Sequence, residues 1–177
     1  MALAKAVFLD RDGTLMRDVP YCSDPSQVQV LPEVTDSLRR LRDYGFKLII
    51  VTNQSGIGRG FFGEETFWKV QIAFEQQLGA DLIDATYFCG DHPHHATGRR
   101  KPGPGMLIEA GRDLELDLPA CFMIGDSESD VEAGIRAGVK AAVLIGATTK
   151  RQRDRVWIAK SFREAVEFIL AQELSLS

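Results

Sequence analysis

The stretch Ala6–Thr14, AVFLDRDGT, decides the fold, because four apolar residues give way without a break to two acids, an arginine and a glycine. Further apolar runs follow at Phe46–Val51, Ala85–Phe88, Cys121–Ile124 and Ala141–Leu144. Continuous apolar runs of this length are typical of strands buried on both faces of a parallel sheet. We therefore expect a parallel sheet whose first strand leads directly into a charged loop.

Helical patterns separate the apolar runs. Apolar residues recur at helical spacing in Pro32–Gly45, Glu64–Leu78, Met106–Leu114 and Ser127–Ala137. In the tail, Val156–Ile158 is a candidate edge strand, and a last helix is expected over Ser161–Ala171. Strands that alternate with helices predict βαβ units in a doubly wound sheet. The predicted fold class is α/β: a single Rossmann-like domain over residues 1–177, with a central parallel sheet and helices on both faces.

Composition and charge exclude several classes of protein. The 177 residues carry 21 Lys and Arg against 25 Asp and Glu, a net charge of −4, so no general affinity for nucleic acid is expected. Three cysteines cannot form a disulfide framework, and their odd number suits a reducing compartment. No apolar run approaches the ~20 residues of a membrane span, and the N-terminus does not fit a signal peptide. We therefore expect a cytoplasmic protein with no nucleic-acid or membrane partner.

Polar segments follow four of the apolar runs, where each predicted strand stops. They are Asp10–Thr14, Thr52–Gly56, the stretch after Phe88 that reaches Lys101–Pro102, and Gly125–Ser127. In open α/β sheets, ligands bind outside the carboxyl ends of the strands. The four segments are therefore expected to meet at one edge of the sheet and to form one site.

The residue types in these segments fit the transfer of a phosphoryl group. Asp10 and Asp12 are so close that their carboxylates repel unless a cation lies between them or one keeps its proton. Thr52 adds a hydroxyl, Lys101 a positive charge and Asp126 a third carboxylate. The carboxylate oxygens suit Mg²⁺. The whole set of groups is the one that phosphoryl transfer through an aspartyl-phosphate requires. Alone, DRDG is more often a solvated turn; its combination with the other segments favours the catalytic interpretation.

The motifs DRDGT, TNQSG, RKPGPGM and GDSESD, in this order, resemble the four motifs of the haloacid dehalogenase-like phosphatase superfamily. The match extends from about Val7 to about Gly146. TNQSGIGRG and RRKPGPGM resemble more narrowly the D-glycero-D-manno-heptose 1,7-bisphosphate 7-phosphatases, whose neighbours in the same subgroup are the histidinol-phosphate phosphatases. The resemblance implies Mg²⁺-dependent hydrolysis of the C7 phosphate of this bisphosphate, to heptose 1-phosphate and phosphate, in the synthesis of ADP-heptose for lipopolysaccharide core.

The resemblance also assigns catalytic roles to residues of this sequence. Asp10 resembles the nucleophile that attacks phosphorus. Asp12 resembles the general acid that protonates the leaving oxygen and then the base that activates water. Thr52 and Lys101 match the positions that stabilise the transferring phosphoryl group.

Metal and substrate contacts follow from the same resemblance. The Mg²⁺ ligands match Asp10, Asp12 (through its backbone carbonyl) and Asp126. Asp130 is expected to orient Lys101 or a metal-bound water. Contacts with the sugar and its second phosphate are implied for Asp18, Tyr21, Asn53, Gln54, Ser55, Arg59 and Arg100.

One loop departs from the subgroup's pattern. Relatives often carry a structural zinc site there, formed by a Cys, a His and a later Cys-x-Cys just before the Arg-Lys-Pro. Here Cys89 remains, Asp91 stands at the usual His position and no Cys precedes Arg99. The three histidines within His92–His95 supply nitrogen donors, but their tight spacing makes a shared tetrahedral geometry awkward. We expect a shortened, metal-free loop, with a variant zinc site as the alternative.

The intervals between the motifs leave no room for a cap domain. One helix largely fills the interval from Asp12 to Thr52, and one helix and one strand fill that from Thr52 to Lys101. We therefore expect an open site covered by short loops, and a monomer. These loops contain enough positive charge to hold the second phosphate of a phosphorylated sugar, on Arg59, Arg99 and Arg100.

Three alternatives stay open at this point. A histidinol-phosphate phosphatase would share the fold and the mechanism, but its cationic substrate would favour acids where NQSGIGRG and RRK present bases. A binding module without activity would have lost some of the four residues Asp10, Asp12, Lys101 and Asp126, and all are present. Transfer of the phosphoryl group to a second sugar instead of water is compatible with the same residues.

Overall fold

A computed structural model describes residues 3–79, 81–146 and 153–174 of the chain. Within these residues, six strands form one sheet in the order β3-β2-β1-β4-β5-β6, and every neighbouring pair is parallel. The five predicted strands and the candidate edge strand are confirmed, with small shifts at their ends. Their bounds are β1 Ala6–Leu9, β2 Lys47–Asn53, β3 Ala85–Cys89, β4 Phe122–Gly125, β5 Ala141–Ile145 and β6 Val156–Ala159.

The described residues also contain six α-helices, of which five were predicted. Their bounds are α1 Val34–Asp43, α2 Ser55–Gly58, α3 Glu64–Leu78, α4 Gly105–Asp113, α5 Glu128–Ala137 and α6 Phe162–Leu174. The helix α1 begins two residues after Pro32, and Gly45 follows it with a φ of 83°, in the left-handed region that glycine adopts readily. The unpredicted α2 has only four residues, too few for apolar periodicity to be visible.

Two apolar cores lie on opposite faces of the sheet. Successive strand residues point to opposite faces, so Leu9 and Ile50 join one core while Phe8 and Ile49 join the other. Apolar residues of α1, α3 and α6 cover the first face, and those of α4 and α5 cover the second. The expected α/β fold with helices on both faces is therefore confirmed.

The sheet order brings the first and the last polar motifs together. β1 and β4 are neighbours at the centre of the sheet, where the strand order reverses. The backbone N–H of Asp10 donates to the carbonyl of Ile124 at 3.0 Å, which extends the pairing to the ends of both strands. A crevice opens at such a reversal, outside the carboxyl ends of the strands. Asp10 and Asp126 both lie at this crevice.

No cap domain interrupts the described part of the chain. Between Asp12 and Thr52 lie a short 3₁₀ turn, α1 and most of β2; between Thr52 and Lys101 lie α2, α3, β3 and another short turn. The expectation of a capless fold is confirmed. None of the described helices combines the length and the apolar character needed to cross a membrane.

Candidate active site

Lys101 joins an acid of the loop after β1 and an acid in the first turn of α5 in a buried ion cluster. Its ammonium Nζ donates to Asp10 Oδ1 at 2.7 Å, to Asp130 Oδ1 at 2.6 Å and to the carbonyl of Val51 at 2.7 Å. Lys101 is 2% exposed and Asp10 is 7% exposed. All three ammonium hydrogens therefore have acceptors, and two carboxylates against one ammonium leave the cluster with a net negative charge when all are ionised.

Burial and charge shift the pKa values of this cluster. Burial raises the pKa of Asp10 well above its ordinary value, although the ammonium of Lys101 opposes the rise. Burial by itself lowers the pKa of Lys101, but the carboxylates of Asp10 and Asp130 outweigh it and raise the pKa above its usual range. Lys101 is therefore a constant positive charge beside Asp10 throughout the neutral pH range.

A third acid approaches Asp10 from the loop after β4. Ligand atoms of Asp10, Asp126 and Asp130 all lie within 4.8 Å of one another, and the described residues contain no other group of three His, Cys, Asp or Glu donors this compact. Burial, and then the charge of Asp130, raises the pKa of Asp126. A cation between these acids would relieve both effects.

The donor set fits a hard divalent cation. Asp130 Oδ1 accepts from Lys101, and Asp130 Oδ2 accepts from the backbone N–H of Ser127 at 3.0 Å and from its hydroxyl at 2.7 Å. Asp10 and Asp126 therefore keep more acceptor capacity for a metal. Their oxygens are the ligands that Mg²⁺ prefers, and Mg²⁺ sites of this kind use one or two carboxylates together with substrate phosphate and water.

Two glycines make room for these carboxylates. Gly13 has a φ of 85°, and a Cβ there would lie 2.2 Å from Asp126 Oδ2. A Cβ on Gly125 would lie 2.3 Å from the Cβ of Asp130. A larger residue would displace Asp126 at the first position and Asp130 at the second, which gives a physical reason for the glycine in DRDGT and in GDSESD.

Residues at the end of β2 hold Asp12. Gln54 Nε2 donates to Asp12 Oδ2 at 2.9 Å, and the Thr52 hydroxyl reaches the same oxygen at 3.4 Å. Gln54 Nε2 also donates to the Thr52 hydroxyl at 2.9 Å.

Asp12 and Thr52 line one small cleft together with the ion cluster. The residues that line this cleft are Asp10, Asp12, Thr52, Asn53, Lys101, Ser127, Ser129 and Asp130. The predicted catalytic residues are therefore brought together.

Most of the predicted substrate-binding residues line an adjoining cleft of about 150 Å³. Asp12 and Asn53 line both clefts, and the second one also contains Asp18, Tyr21, Gln54, Ser55 and Phe62. The guanidinium of Arg59 lies 5.8 Å from the ring centroid of Tyr21, and the exposed Phe61 packs edge-on against that ring at 4.9 Å. An aromatic and cationic rim thus adjoins Asp12.

Asn53 and Arg100, two of the predicted substrate-binding residues, make hydrogen bonds with the backbone of the loop that carries Lys101. The side-chain amide of Asn53 donates to the carbonyl of Lys101 at 3.0 Å and accepts from its N–H at 3.1 Å. Arg100 Nη1 donates to the carbonyl of Asp91 at 3.3 Å. Asn53 therefore fixes the backbone of Lys101, in addition to lining the clefts.

The loop between β3 and Lys101 is closed by hydrogen bonds. Asp91 Oδ2 accepts from the N–H of Thr97 at 2.7 Å and from its hydroxyl at 2.6 Å. His92 Nδ1 accepts from the N–H of His94 at 3.1 Å, and Cys89 is buried at the end of β3. Among the described residues, Cys89 and the three histidines do not form a compact ligand group.

Sequence reasoning missed two buried polar residues beside the site, Arg11 and Gln71. Arg11 is completely buried and bonds both Asp12 and Gln71. A signal for Gln71 was present, because it lies on the apolar face of α3, four residues after Phe67 and three before Phe74. A polar residue on a buried helix face indicates a partner in the core.

Comparison with known proteins agrees with this geometry. A family model described as HAD-hydrolase-like matches residues 98–165. The chain is 36% identical to the D-glycero-beta-D-manno-heptose-1,7-bisphosphate 7-phosphatase of Yersinia pestis over 94% of this chain and 96% of that one. It is 39% identical to the D-glycero-alpha-D-manno-heptose-1,7-bisphosphate 7-phosphatase of Burkholderia mallei over 80% of this chain and 79% of that one. It also resembles the D,D-heptose 1,7-bisphosphate phosphatase of B. bronchiseptica, complexed with magnesium and phosphate, with a TM-score of 0.85, 26% identity and coverage of 95% and 99%.

Proposed function

Because the chain belongs to the D-glycero-D-manno-heptose 1,7-bisphosphate 7-phosphatases, within the haloacid dehalogenase-like hydrolases, we propose that it hydrolyses the C7 phosphate of this bisphosphate. The products are heptose 1-phosphate and inorganic phosphate. The observation that carries the proposal is the 2.7 Å contact between Lys101 Nζ and Asp10 Oδ1 at the sheet's central crevice. It gives a buried carboxylate with a positive charge beside it, as an attack on a phosphate dianion requires.

The first half of the reaction transfers the phosphoryl group to Asp10. A carboxylate oxygen of Asp10 forms the new bond to phosphorus, and the bond between phosphorus and the C7 oxygen breaks. A proton moves from the carboxyl of Asp12 to that oxygen, so the sugar leaves as an alcohol. Lys101 and the hydroxyl of Thr52 stabilise the charge on the phosphoryl oxygens.

The second half returns Asp10 to its starting state. Asp12, now a carboxylate, takes a proton from a water molecule, whose oxygen attacks phosphorus. The bond between phosphorus and the Asp10 oxygen breaks, and phosphate is released. Asp12 regains its proton in this step, and the enzyme is ready for another turnover.

A magnesium ion fits the donor set. Asp10, the backbone carbonyl of Asp12, and Asp126 would hold it, and it would neutralise the negative charge that builds up on the phosphoryl oxygens. Asp130 holds Lys101 through a hydrogen bond of 2.6 Å.

The remainder of the substrate occupies the cleft next to Asp12. Asp18, Tyr21, Gln54 and Ser55 line this cleft and offer partners for sugar hydroxyls. Arg59 at the rim, together with Arg100 in the neighbouring loop, supplies positive charge for the phosphate at C1. These contacts suit a phosphorylated sugar with charge at both ends.

The enzyme's cellular setting follows from the same proposal. We place the reaction in the synthesis of ADP-heptose for lipopolysaccharide core, in the cytoplasm. Its three cysteines, Cys22, Cys89 and Cys121, are free and buried, as suits a reducing compartment. We propose a monomer without nucleic-acid partners, since a net charge of −4 disfavours binding to nucleic acid.

The proposal is tested by phosphate release with Mg²⁺ from both anomers of heptose 1,7-bisphosphate and from histidinol phosphate. We expect release from the bisphosphate, with heptose 1-phosphate as the remaining product. The relatives described above give the histidinol-phosphate alternative no support. Preferential release from histidinol phosphate, or loss of the C1 phosphate, would contradict the proposal. A run with added acceptor alcohol separates hydrolysis from transfer to a second sugar.

A further inference from the structure

Arg11 is a fully buried arginine between the two acids of DRDG. Its Nε donates to Asp12 Oδ2 and its Nη2 donates to Asp12 Oδ1, each at 3.2 Å. Two parallel N–H···O bonds from one planar guanidinium define the direction as well as the distance of a carboxyl group. The orientation of Asp12 is therefore coupled to that of Arg11.

The other side of the guanidinium is anchored on α3. Arg11 Nη1 donates to Gln71 Oε1 at 3.1 Å, and Gln71 is 1% exposed. Gln71 Nε2 in turn donates to Glu75 Oε1 at 2.9 Å and to the hydroxyl of Thr86 on β3 at 3.2 Å. The ring of Phe67 lies 5.2 Å from the guanidinium carbon. Arg11 is thus anchored on α3, and Gln71 connects this anchor to β3; both elements lie outside the catalytic loops.

Asp12 itself is partly exposed at the end of this chain of contacts. Its side chain is 21% exposed and lines both clefts of the site. Gln54 and Thr52 approach only its Oδ2, so the bond to Oδ1 comes from Arg11. A buried ion pair yields little net stability compared with apolar side chains of the same volume. The buried guanidinium is therefore better explained by function, because it orients the carboxyl group of Asp12.

We propose that Arg11 and Gln71 are positioning residues for Asp12, which hold its carboxyl in line with the leaving oxygen of the substrate. The proposal rests on the acid and base role that the proposed function gives to Asp12. Neither residue lines either cleft of the site, so their contribution appears only in steps where Asp12 moves a proton. A displacement of about 1 Å at such a group lowers a rate by about 100-fold.

Substrates with different leaving groups distinguish a positioning role of Arg11 and Gln71 from a purely structural one. When a sugar phosphate reacts, the C7 oxygen leaves as an alcohol and needs the proton of Asp12. When p-nitrophenyl phosphate reacts, p-nitrophenolate leaves as a stable anion, so the same bond breaks without that proton. The ratio kcat/KM reports the steps up to leaving-group departure, and so it isolates the first proton transfer from the later hydrolysis of the aspartyl-phosphate.

The experiment compares kcat/KM for heptose 1,7-bisphosphate and p-nitrophenyl phosphate in Arg11→Met and Gln71→Leu. We expect a loss of about 100-fold on the bisphosphate for Arg11→Met and about tenfold for Gln71→Leu. Activity on p-nitrophenyl phosphate should change little. Asp12→Asn sets the benchmark for a missing acid. Arg40→Met, which removes an exposed arginine paired with Glu167, is the matched control and should leave both substrates unaffected.

Each result has a definite meaning. Parallel losses on both substrates, or no loss on the bisphosphate, would overturn the positioning role. If Arg11→Met does not fold, Gln71→Leu decides, because it leaves the Arg11–Asp12 pair in place. If Asp12→Asn shows no dependence on the leaving group, the acid role and the positioning role both fail. Hydrolysis of the bisphosphate by the unmodified enzyme would still support the proposed substrate in that case.

Discussion

Lys101 Nζ and Asp10 Oδ1 lie 2.7 Å apart in the interior, although 91 residues separate them in the chain. The pair joins the loop after β1 to the loop before α4. Because Lys101 also bonds Asp130 and the carbonyl of Val51, one ammonium connects the loop after β1, strand β2 and the first turn of α5. Lys101, the positive charge beside Asp10, therefore also holds the site together.

Replacing Lys101 by methionine should destabilise the protein as well as inactivate it. Lys101→Met leaves the carboxylates of Asp10 and Asp130 buried without their cation, which costs about 3–5 kcal/mol in the free energy of unfolding. Urea unfolding measures this loss. Lys69→Met, which removes an exposed lysine paired with Glu65, should leave the free energy of unfolding nearly unchanged. Equal stabilities of the two variants would contradict the structural role of Lys101.

Gly13 and Gly60 form a matched pair for testing the space around Asp126. Both have positive φ, 85° and 74°, so alanine strains the backbone at either position. Only at Gly13 would the new Cβ meet another residue, Asp126, since nothing lies within 4 Å of a Cβ at Gly60. We expect Gly13→Ala to lower kcat/KM by about 100-fold or more and Gly60→Ala to leave it nearly unchanged. Similar activities would mean that the glycine serves the backbone alone.

Magnesium should stabilise the fold through the acids of the crevice. A ligand that binds only the native state at 100 times its dissociation constant adds about 2.7 kcal/mol of stability. The melting temperature should therefore rise with MgCl₂ and fall back when the metal is removed with a chelator. For the variant Asp126→Asn, we expect that the same rise in melting temperature needs at least about tenfold more Mg²⁺. An identical titration in this variant would exclude Asp126 as a ligand.

Asp91 and Thr97 should control substrate affinity across the neutral pH range. The hydroxyl and then the backbone N–H of Thr97 lower the pKa of Asp91. A carboxyl with a lowered pKa in the folded state contributes stability above its unfolded pKa, about 3.9, and loses it as the pH falls through the folded value. The two hydrogen bonds from Thr97 to Asp91 are therefore fully formed between about pH 5 and 8.

Thr97→Val removes one of the two hydrogen bonds and loosens the loop whose Asp91 carbonyl accepts from Arg100. We expect KM for the bisphosphate to rise by about three- to tenfold, by the same factor at each pH in that range, with kcat nearly constant. The same substitution at Thr35 on α1 is the control. A fall in kcat without a change in KM would contradict this role.

The sequence predicted the sheet well because its strands are apolar on both faces. Residues such as Phe8 and Ile49 are completely buried, so each strand appears as an unbroken apolar run. The edge strand β6 was harder to recognise, since Trp157 and Ile158 are partly exposed. The short α2 left no periodic signal at all. The spacing between motifs also predicted that no cap domain interrupts the chain, and the described residues contain none.

The candidate site was predicted at the level of residue types, whereas its buried network was not. That Asp10, Asp126 and Lys101 meet follows from the rule that strand ends converge at one edge of the sheet. The complete burial of Lys101 depends on acceptors from three other segments, which no local pattern encodes. Arg11 was missed for the same reason, because its partner Gln71 lies 60 residues away on α3.

The covalent role of Asp10 is tested most directly by rapid acid quench of the enzyme with Mg²⁺ and heptose 1,7-bisphosphate labelled at the C7 phosphate. We expect the label to appear on the peptide that contains Asp10, at a level that rises before free phosphate does. Asp10→Asn, which keeps the size of the side chain, should carry no label and release no phosphate. Full phosphate release by the unmodified enzyme with no label on the protein at any time, together with activity in Asp10→Asn, would contradict the account.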